Sequence, residues 1–341
     1  MASDEDRAQV VQLVFGGMAA LTVRAATRLK VVELLGDKER AAADVAEEAG
    51  TQHQAMTRLL RALTGLGLLQ ECAPDTFAVT SAGALLDPGR PDSLVSLVDM
   101  FTEPAMSRAW ERLDESVRTG EAAFDAIFGK DFFSHLRDEP ELSARFNAAM
   151  SQGTAATAAA LPEAFDFGRF TTVTDVGGGD GTLLAAVLRA YPSLNGVVYD
   201  TDEGLAQAPV TLRRDGLEER CSLVAGDFFD AVPEGGDLYL LKSILHDWSD
   251  DRARTILGHI REALPPEGRV LILEAVLPEV VDPARPGLTY LTDLNMLVNL
   301  GGRERTRADF EFLCHSAGLT IVDVSPLPAP NPFCLIEARR A

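Results

Sequence analysis

The stretch LLKSILHDWSDD, from Leu240 to Asp251, ends an apolar run in His-Asp-Trp and follows it at once with helix-starting Ser and Asp residues. The chain has only 5 histidines, and His246 falls where a buried strand should leave its sheet. An imidazole with a pKa near about 6.5 can take a proton from a positioned hydroxyl at neutral pH. It does so best when a carboxylate steadies the imidazolium that forms. Two acids are available, Glu274 in LILEAVLP and Glu304 in GGRERT. A buried glutamate at a strand end is costly without a partner. For His246 taken alone, a well-satisfied loop histidine is the competing explanation.

A second candidate site lies upstream. In TDVGGGDGTLLAAVLRAYP, Gly177, Gly178, Gly179 and Gly181 stand between an apolar run and a helix expected from about Thr182. Without a Cβ the backbone can turn sharply and press against a ligand, with helix-start amides pointing at it. A dinucleotide fingerprint, G-x-G-x-x-G, would need Gly at 182, where Thr stands. The spacing present is G-x-G-x-G, which suits an adenosyl group without a pyrophosphate. Asp200 ends the next apolar run, where an acid can hold a ribose diol. Asp227 ends a third in AGDFF, placed to accept from an adenine amino group, with Phe228 able to cover the ring. A Gly-rich turn alone is often a tight connection. Three successive strand ends carrying Gly-loop, Asp and Asp point to S-adenosylmethionine.

These positions need a scaffold, and the pattern changes character near residue 165. Before it, apolar spacing is helical almost throughout, as in VVQLVFGGMAALTVRAATRLKVVELL and AAADVAEEAGTQHQAMTRLLRALTGLGLL. The only strand-like piece there is DTFAVT. From Phe170 on, seven short apolar runs (TTVTDV, GVVYD, CSLVAGD, DLYLLKSIL, RVLILEAVL, LTIVDVSPL and FCLIEAR) alternate with helical segments. This predicts crossover units and a mostly parallel sheet with helices on both faces. The fold class is therefore α/β, a Rossmann-like domain preceded by a mostly helical one. The expected division is 1–100 for a winged-helix-like module, 101–164 for connecting helices, and 165–341 for the sheet domain. LPEVVDPARPG reads as a Pro-rich loop.

Composition excludes several classes. The 341 residues are 46% apolar with a net charge of −21, which disfavours phosphate backbones and anionic membranes as partners. No uninterrupted apolar run approaches the roughly 18 residues of a membrane span. The N-terminus, MASDEDRAQ, is acidic where a secretory signal would be basic, and Cys72, Cys221, Cys314 and Cys334 lack metal-ligand spacing. A cytoplasmic protein is expected. His246, Asp247 and Glu274 could supply three metal ligands, but YLTDLNMLVNLGGRERT offers no second His, and His315 reads as an exposed helix residue, so no metal is expected.

The module AADVAEEAGTQHQAMTRLLRALTGLGLLQE plus DTFAVT has a winged-helix outline, yet residues 36–99 hold five basic against ten acidic side chains. A DNA reader needs the opposite balance, which counts against a cofactor-responsive regulator. The LVFGGMAALTVRAATRLKVVELL segment is apolar around much of its circumference, as a dimer helix should be.

The segments DVGGGDGT, GDFFDAVP, LLKSILHDWSDDRARTIL, LPPEGRVLILEAVLP and GGRERTRADFEFLCHSAGL, preceded by RFNAAM, occur in one order. The set resembles the S-adenosylmethionine-dependent O-methyltransferases of the plant caffeic-acid/isoflavone type and their actinomycete antibiotic-tailoring relatives, over essentially the whole chain. The resemblance implies that Gly177 and Gly179 line the cofactor, Asp200 takes its ribose, Asp227 and Phe228 its adenine, and that Lys242 also contacts it. His246 matches the family's base, with Glu274 and Glu304 as flanking acids. Met150, Asp247 and Asn299 fall where family members touch the methyl acceptor. It further implies a homodimer through the N-terminal domain, a hydroxyl of a small aromatic metabolite as acceptor, and S-adenosylhomocysteine as product. Two departures leave the acceptor open: Asp200-Thr201-Asp202 replaces the usual Asp-Leu-Pro, and LVNL before Gly301 lacks the plant-type His or Pro. Methylation of carbon or nitrogen, or loss of methyl transfer, remain alternatives.

Overall fold

The computed structural model describes residues 2–281, 287–329 and 331–341, so part of the Pro-rich loop, 282–286, lies outside the described residues. The chain divides into two compact units, Met1–Ser107 and Arg108–Ala341.

The first unit opens with α1 (Asp4–Arg28). Its start follows from Ser3, whose side chain accepts from the Asp6 amide while Asp6 reaches back to the Ser3 amide. After α2 (Val31–Leu35) come β1 (Arg40–Ala41), α3 (Ala42–Glu48), α4 (His53–Gly65), β2 (Leu69–Ala73) and β3 (Thr76–Val79). The three strands form an antiparallel sheet in the order β1-β3-β2. Val31, Leu35, Val45, Met56, Leu60, Leu63, Leu69 and Phe77 make the core.

Here the structure departs from the expected helix through Leu69 and adds β2. Gly67 at φ +77 ends α4 by donating to the Thr64 carbonyl, and Leu68 donates to that of Leu63. After Gly67, Leu69 still enters the core and Leu68 packs against it.

Along α1 only Ala26 is buried. Val10, Leu13, Val14, Phe15 and Met18 are 54–73% exposed. Although its apolar residues are interrupted, α1 is long and apolar enough to cross a membrane by length and composition. On α4, Arg61 is paired with Glu71 and Asp75, which removes one of the two basic residues a DNA-reading helix would use.

The second unit is built on β4 (Thr172–Val176), β5 (Asn195–Asp200), β6 (Cys221–Ala225), β7 (Leu238–Lys242), β8 (Arg269–Leu277), β9 (Arg305–Thr306), β10 (Leu319–Pro326) and β11 (Phe333–Arg340). They lie in the order β10-β11-β8-β7-β4-β5-β6, with β9 paired to β8. Strands β4 to β9 pair in parallel, while β11 runs antiparallel to both β8 and β10. Leu238 and Leu240 enter one core and Tyr239 and Leu241 the other, so β7 is apolar on both faces because helices cover both. The helix Thr182–Ala190 covers the first face and Asp250–Ala263 the second.

Strand order reverses between β4 and β7, since β4 leads to β5 and β6 on one side and β7 to β8 on the other. That switch point opens a crevice at the carboxyl ends of the strands. Both candidate sites border it.

Candidate active site

Gly177 and Gly179 lie in the left-handed region at φ +73 and +56, which glycine adopts without strain. A Cβ on Gly177 would stand 2.3 Å from Ile244 Cδ1, and one on Gly178 would stand 2.9 Å from the Asp175 carboxyl. On Gly179 it would meet nothing within 4 Å. The loop is thus closed behind and open in front.

Asp200, at the end of β5, accepts from the Gly179 amide at 2.9 Å and from the Thr201 amide at 2.7 Å. Phe228 approaches Gly177, its Cε1 lying 3.8 Å from where a Cβ would be, and Asp227 stands exposed at the end of β6. Open main chain flanked by acids would repel a pyrophosphate. It fits an adenosyl ligand that carries positive charge.

Lys242 ends β7, with Nζ 3.2 Å from Ser243 Oγ and 5.1 Å from the Phe333 ring. Burial pulls its pKa down, against the opposing pull of Glu274, Asp175 and Asp247.

Beyond Lys242 the chain does not continue as a strand to Leu245, as the apolar run suggests. Ser243 takes φ +54, and a single helical turn, Leu245–Asp247, carries His246. The cause is Glu274. Its Oε1 accepts from the amides of Ile244 at 3.0 Å and Leu245 at 2.9 Å, drawing the chain off the ladder. The register explains the reach, because Lys242 pairs with Leu273, the residue before Glu274.

The imidazole sits among acids. His246 Nδ1 lies 3.0 Å from Glu304 Oε1 and 3.6 Å from Glu274 Oε2, while Nε2 lies 3.4 Å from Asp247 Oδ1. Burial lowers the His246 pKa, but the carboxylates of Glu274, Asp247 and Glu304 outweigh it and push it up to about 10. Burial pushes Asp247 up to about 7, with Glu274 and Glu304 adding to its rise and His246 opposing it. Glu274 is raised by burial too, with His246 pulling the other way. The acids around the imidazole therefore favour its protonated form, unlike the water around a free imidazole.

The two acids divide the work. Glu304 meets the ring, and Glu274 holds the turn that carries it. His246, Glu274 and Glu304 also offer ligand atoms within 4.8 Å of one another, and the second oxygens of both glutamates are buried without a partner.

Asn299 is fully buried on the helix Leu288–Leu300. Its Nδ2 donates to Asn295 Oδ1 at 2.9 Å, which also accepts from Trp110 Nε1 at 2.9 Å. An indole N–H can only donate, so the Asn295 oxygen must face it, and Asn299 Oδ1 is left as an unpartnered acceptor. Met150 is half-buried on the helix Pro140–Ala164, beside Ser151, which donates to Asp180 of the glycine loop at 2.7 Å.

Sequence reasoning passed over Asp175, Gly302 and Arg305. Asp175 is buried on β4 with an unpartnered oxygen, and burial, reinforced by Asp200, pushes its pKa up to about 7. An acid inside the apolar run TTVTDV was the available signal. For Arg305 it was an arginine directly after Glu304.

Comparison with known proteins gives a family match in each of the two units. Residues 110–320 match the family model of an O-methyltransferase domain, and residues 11–86 that of an O-methyltransferase dimerisation domain. The O-demethylpuromycin-O-methyltransferase of Streptomyces alboniger is 46% identical over 332 residues, 97% of this chain and 88% of that protein. The structure of the mitomycin 7-O-methyltransferase superposes with a TM-score of 0.91 at 36% identity, covering 98% of each chain. An O-methyltransferase from neocarzinostatin biosynthesis, solved with S-adenosylmethionine and 2-hydroxy-5-methyl naphthoic acid, has a TM-score of 0.81 at 31% identity, covering 94% of this chain and 96% of that one. With a glycine loop open to an adenosyl group beside a histidine set among acids, the chain belongs to the S-adenosylmethionine-dependent O-methyltransferase family.

Proposed function

We propose that the enzyme methylates a hydroxyl, phenolic in kind, on a small aromatic metabolite of bacterial secondary metabolism, with His246 as general base. The observation that carries this is the 3.0 Å contact between His246 Nδ1 and Glu304 Oε1. An ionised carboxylate only accepts, so Nδ1 carries the hydrogen in that contact, and Nε2 is the nitrogen that exchanges a proton with the acceptor. Gly177, Gly179, Asp200, Asp227, Phe228 and Lys242 hold S-adenosylmethionine, which supplies a methyl group on a sulfonium. The acceptor's O–H bond breaks toward Nε2, and the oxygen keeps the electron pair. Glu274, Asp247 and Glu304 stabilise the resulting imidazolium. Met150, Asp247 and Asn299 face the acceptor, Asn299 through its unpartnered oxygen.

A raised imidazole pKa has two consequences. It matches that of a phenol, near about 10, so proton transfer is close to thermoneutral. It also leaves few neutral imidazoles at pH 7, so turnover rises with pH toward about 10.

Helices within 101–164 form part of the acceptor pocket, and the exposed face of α1 is covered by a second copy of the chain. We infer a cytoplasmic homodimer with neither nucleic acid nor membrane as partner.

Incubation with S-adenosylmethionine and a panel of phenols and anilines, followed by mass analysis, tests the acceptor class; methyl gain on nitrogen or carbon alone would overturn it. His246→Ala should keep cofactor affinity and lose about 10²- to 10⁴-fold in turnover, the usual worth of a general base. Wild type and variant should both speed up toward pH 10, because imidazole and phenol lose their protons over the same range, so the deficit should stay nearly constant with pH. Glu304→Gln should show a smaller loss of the same kind. A near-wild-type rate for His246→Ala at neutral pH would end the base assignment. Loss of wild-type activity in chelator would instead assign the cluster of His246, Glu274 and Glu304 to a metal.

A further inference from the structure

Arg305 is the largest fully buried side chain among the described residues, and a guanidinium taken out of water costs several kcal/mol unless its donors are met. All are met. Nη1 donates to the Leu245 carbonyl at 2.7 Å, with that of Arg303 at 3.5 Å. Nη2 donates to the Trp248 carbonyl at 2.9 Å and to Asp250 Oδ1 at 2.8 Å, and Nε donates to Asp250 Oδ1 at 3.0 Å. Two of these acceptors, Leu245 and Trp248, bracket His246 and Asp247.

Three residues earlier, Gly302 meets the same turn from another side. A Cβ there would lie 2.0 Å from the His246 carbonyl oxygen, 2.5 Å from Asp247 C and 2.7 Å from the Trp248 nitrogen. Gly302 is not among the residues with positive φ, so the backbone would tolerate alanine; the approach of the turn would not. Between the two stands Glu304, whose own amide is fixed by Asp293 Oδ1 at 2.8 Å. The pairing of Val276 with Arg305 anchors the segment to the sheet two residues beyond Glu274.

We propose that Gly302 and Arg305 are positioning residues for methyl transfer, holding the His246–Asp247 turn from two sides so that the imidazole faces Glu304 on one edge and the acceptor on the other. This rests on His246 being the base. Neither residue meets the ring. Gly302 lets the segment close on the peptide bonds of the turn, and Arg305 ties its two ends to β9 and to Asp250, the first residue of the next helix. Removing either leaves the imidazole in place chemically but misaligned. A misplacement of about 1 Å costs on the order of 10²-fold in rate.

The groups facing the ring are Glu274 from β8, Glu304 from the segment before β9 and Asp247 from the turn itself, with Lys242 at the end of β7 acting on Asp247. Loosening the turn weakens the ring's contacts with Glu274, Asp247 and Glu304, so the rise of turnover with pH should move to lower pH.

The test is a double-mutant cycle on the full-length enzyme with a phenol acceptor. Gly302→Ala should keep S-adenosylhomocysteine affinity within about twofold by calorimetry while kcat falls at least tenfold and its pH profile shifts downward. In a His246→Ala background the same change should cost almost nothing more, because parts of one unit are not additive. Arg305→Lys, which retains a charge and three donors, should lose less than Arg305→Met. Asp250→Asn, at a 44% exposed side chain, tests the tie without burying a new group and should lower kcat several-fold with KM unchanged. The proposal fails if Gly302→Ala and Asp250→Asn leave kcat and its pH profile unchanged, or if their losses add fully to that of His246→Ala. If His246→Ala itself keeps its activity, the base assignment fails instead, and the two failures are distinct.

Discussion

The first unit leaves Val10, Leu13, Val14, Phe15 and Met18 of α1 largely exposed, whereas the second buries Asp175, Glu274, Asn299, Glu304 and Arg305 almost completely. Both depart from the ordinary partition of apolar inside and polar outside, in opposite directions. An exposed apolar stripe is an unfinished interface, because contact with another surface lowers its free energy without any change of shape. Buried charge is different. It is tolerable only where partners, protons or a ligand answer it. The first unit thus leaves apolar surface unanswered, and the second leaves buried charge to be answered.

The largest effect should follow from altering the stripe. Replacing Val10, Leu13, Val14 and Met18 by Gln should give a monomer by light scattering at micromolar concentration, since each apolar side chain buried contributes about 1.5–3 kcal/mol. Core residues Val31 and Leu35 stay intact, so the monomer should keep its helical content while its thermal unfolding falls by the lost contribution of the partner. A wild-type protein already monomeric at that concentration would break the comparison at its first term.

Next in size is the cofactor side. Asp200→Ala removes a charge-assisted acceptor and should weaken S-adenosylmethionine and S-adenosylhomocysteine alike by about 1.5–3 kcal/mol, read by calorimetry. Unchanged affinity would remove the ribose assignment.

The smallest effect concerns Asp175. Its folded pKa is raised to about 7 from an ordinary 3.8, so the folded state binds the proton more tightly. Stability of the cofactor-free protein should therefore fall as pH rises from about 4 to about 7, and Asp175→Asn should flatten that fall by on the order of 1 kcal/mol in urea unfolding. A variant with the same slope as wild type would show that this buried acid is answered by a partner.

How far the sequence reached depends on the range of the interactions involved. Seven of the eight strands from Thr172 to Arg340, and the helix after Gly181, coincide with short apolar runs and could be read directly; the two-residue β9 could not. Nor could β2, because Leu68 and Leu69 continue the apolar run of α4 and only the left-handed Gly67 ends the helix. The end of β7 was misjudged for another reason. Nothing in DLYLLKSIL shows that a carboxylate 30 residues later will capture the amide of Ile244.

By itself the sequence determined the α/β architecture, a glycine-rich turn between the first strand of the sheet domain and its helix, and the presence of one histidine and several acids near strand ends. These follow from residue type and short-range spacing, which act through backbone geometry and hydrophobic alternation. Tertiary structure alone decided which acid meets the imidazole and which holds its turn. It also decided that three carboxylates surround the ring and favour its protonated form, and that Gly302 and Arg305 lie against the turn that carries it. Those outcomes depend on distances of about 3 Å between residues up to 60 positions apart and on the exclusion of water around them, and neither is encoded in any local window of the chain.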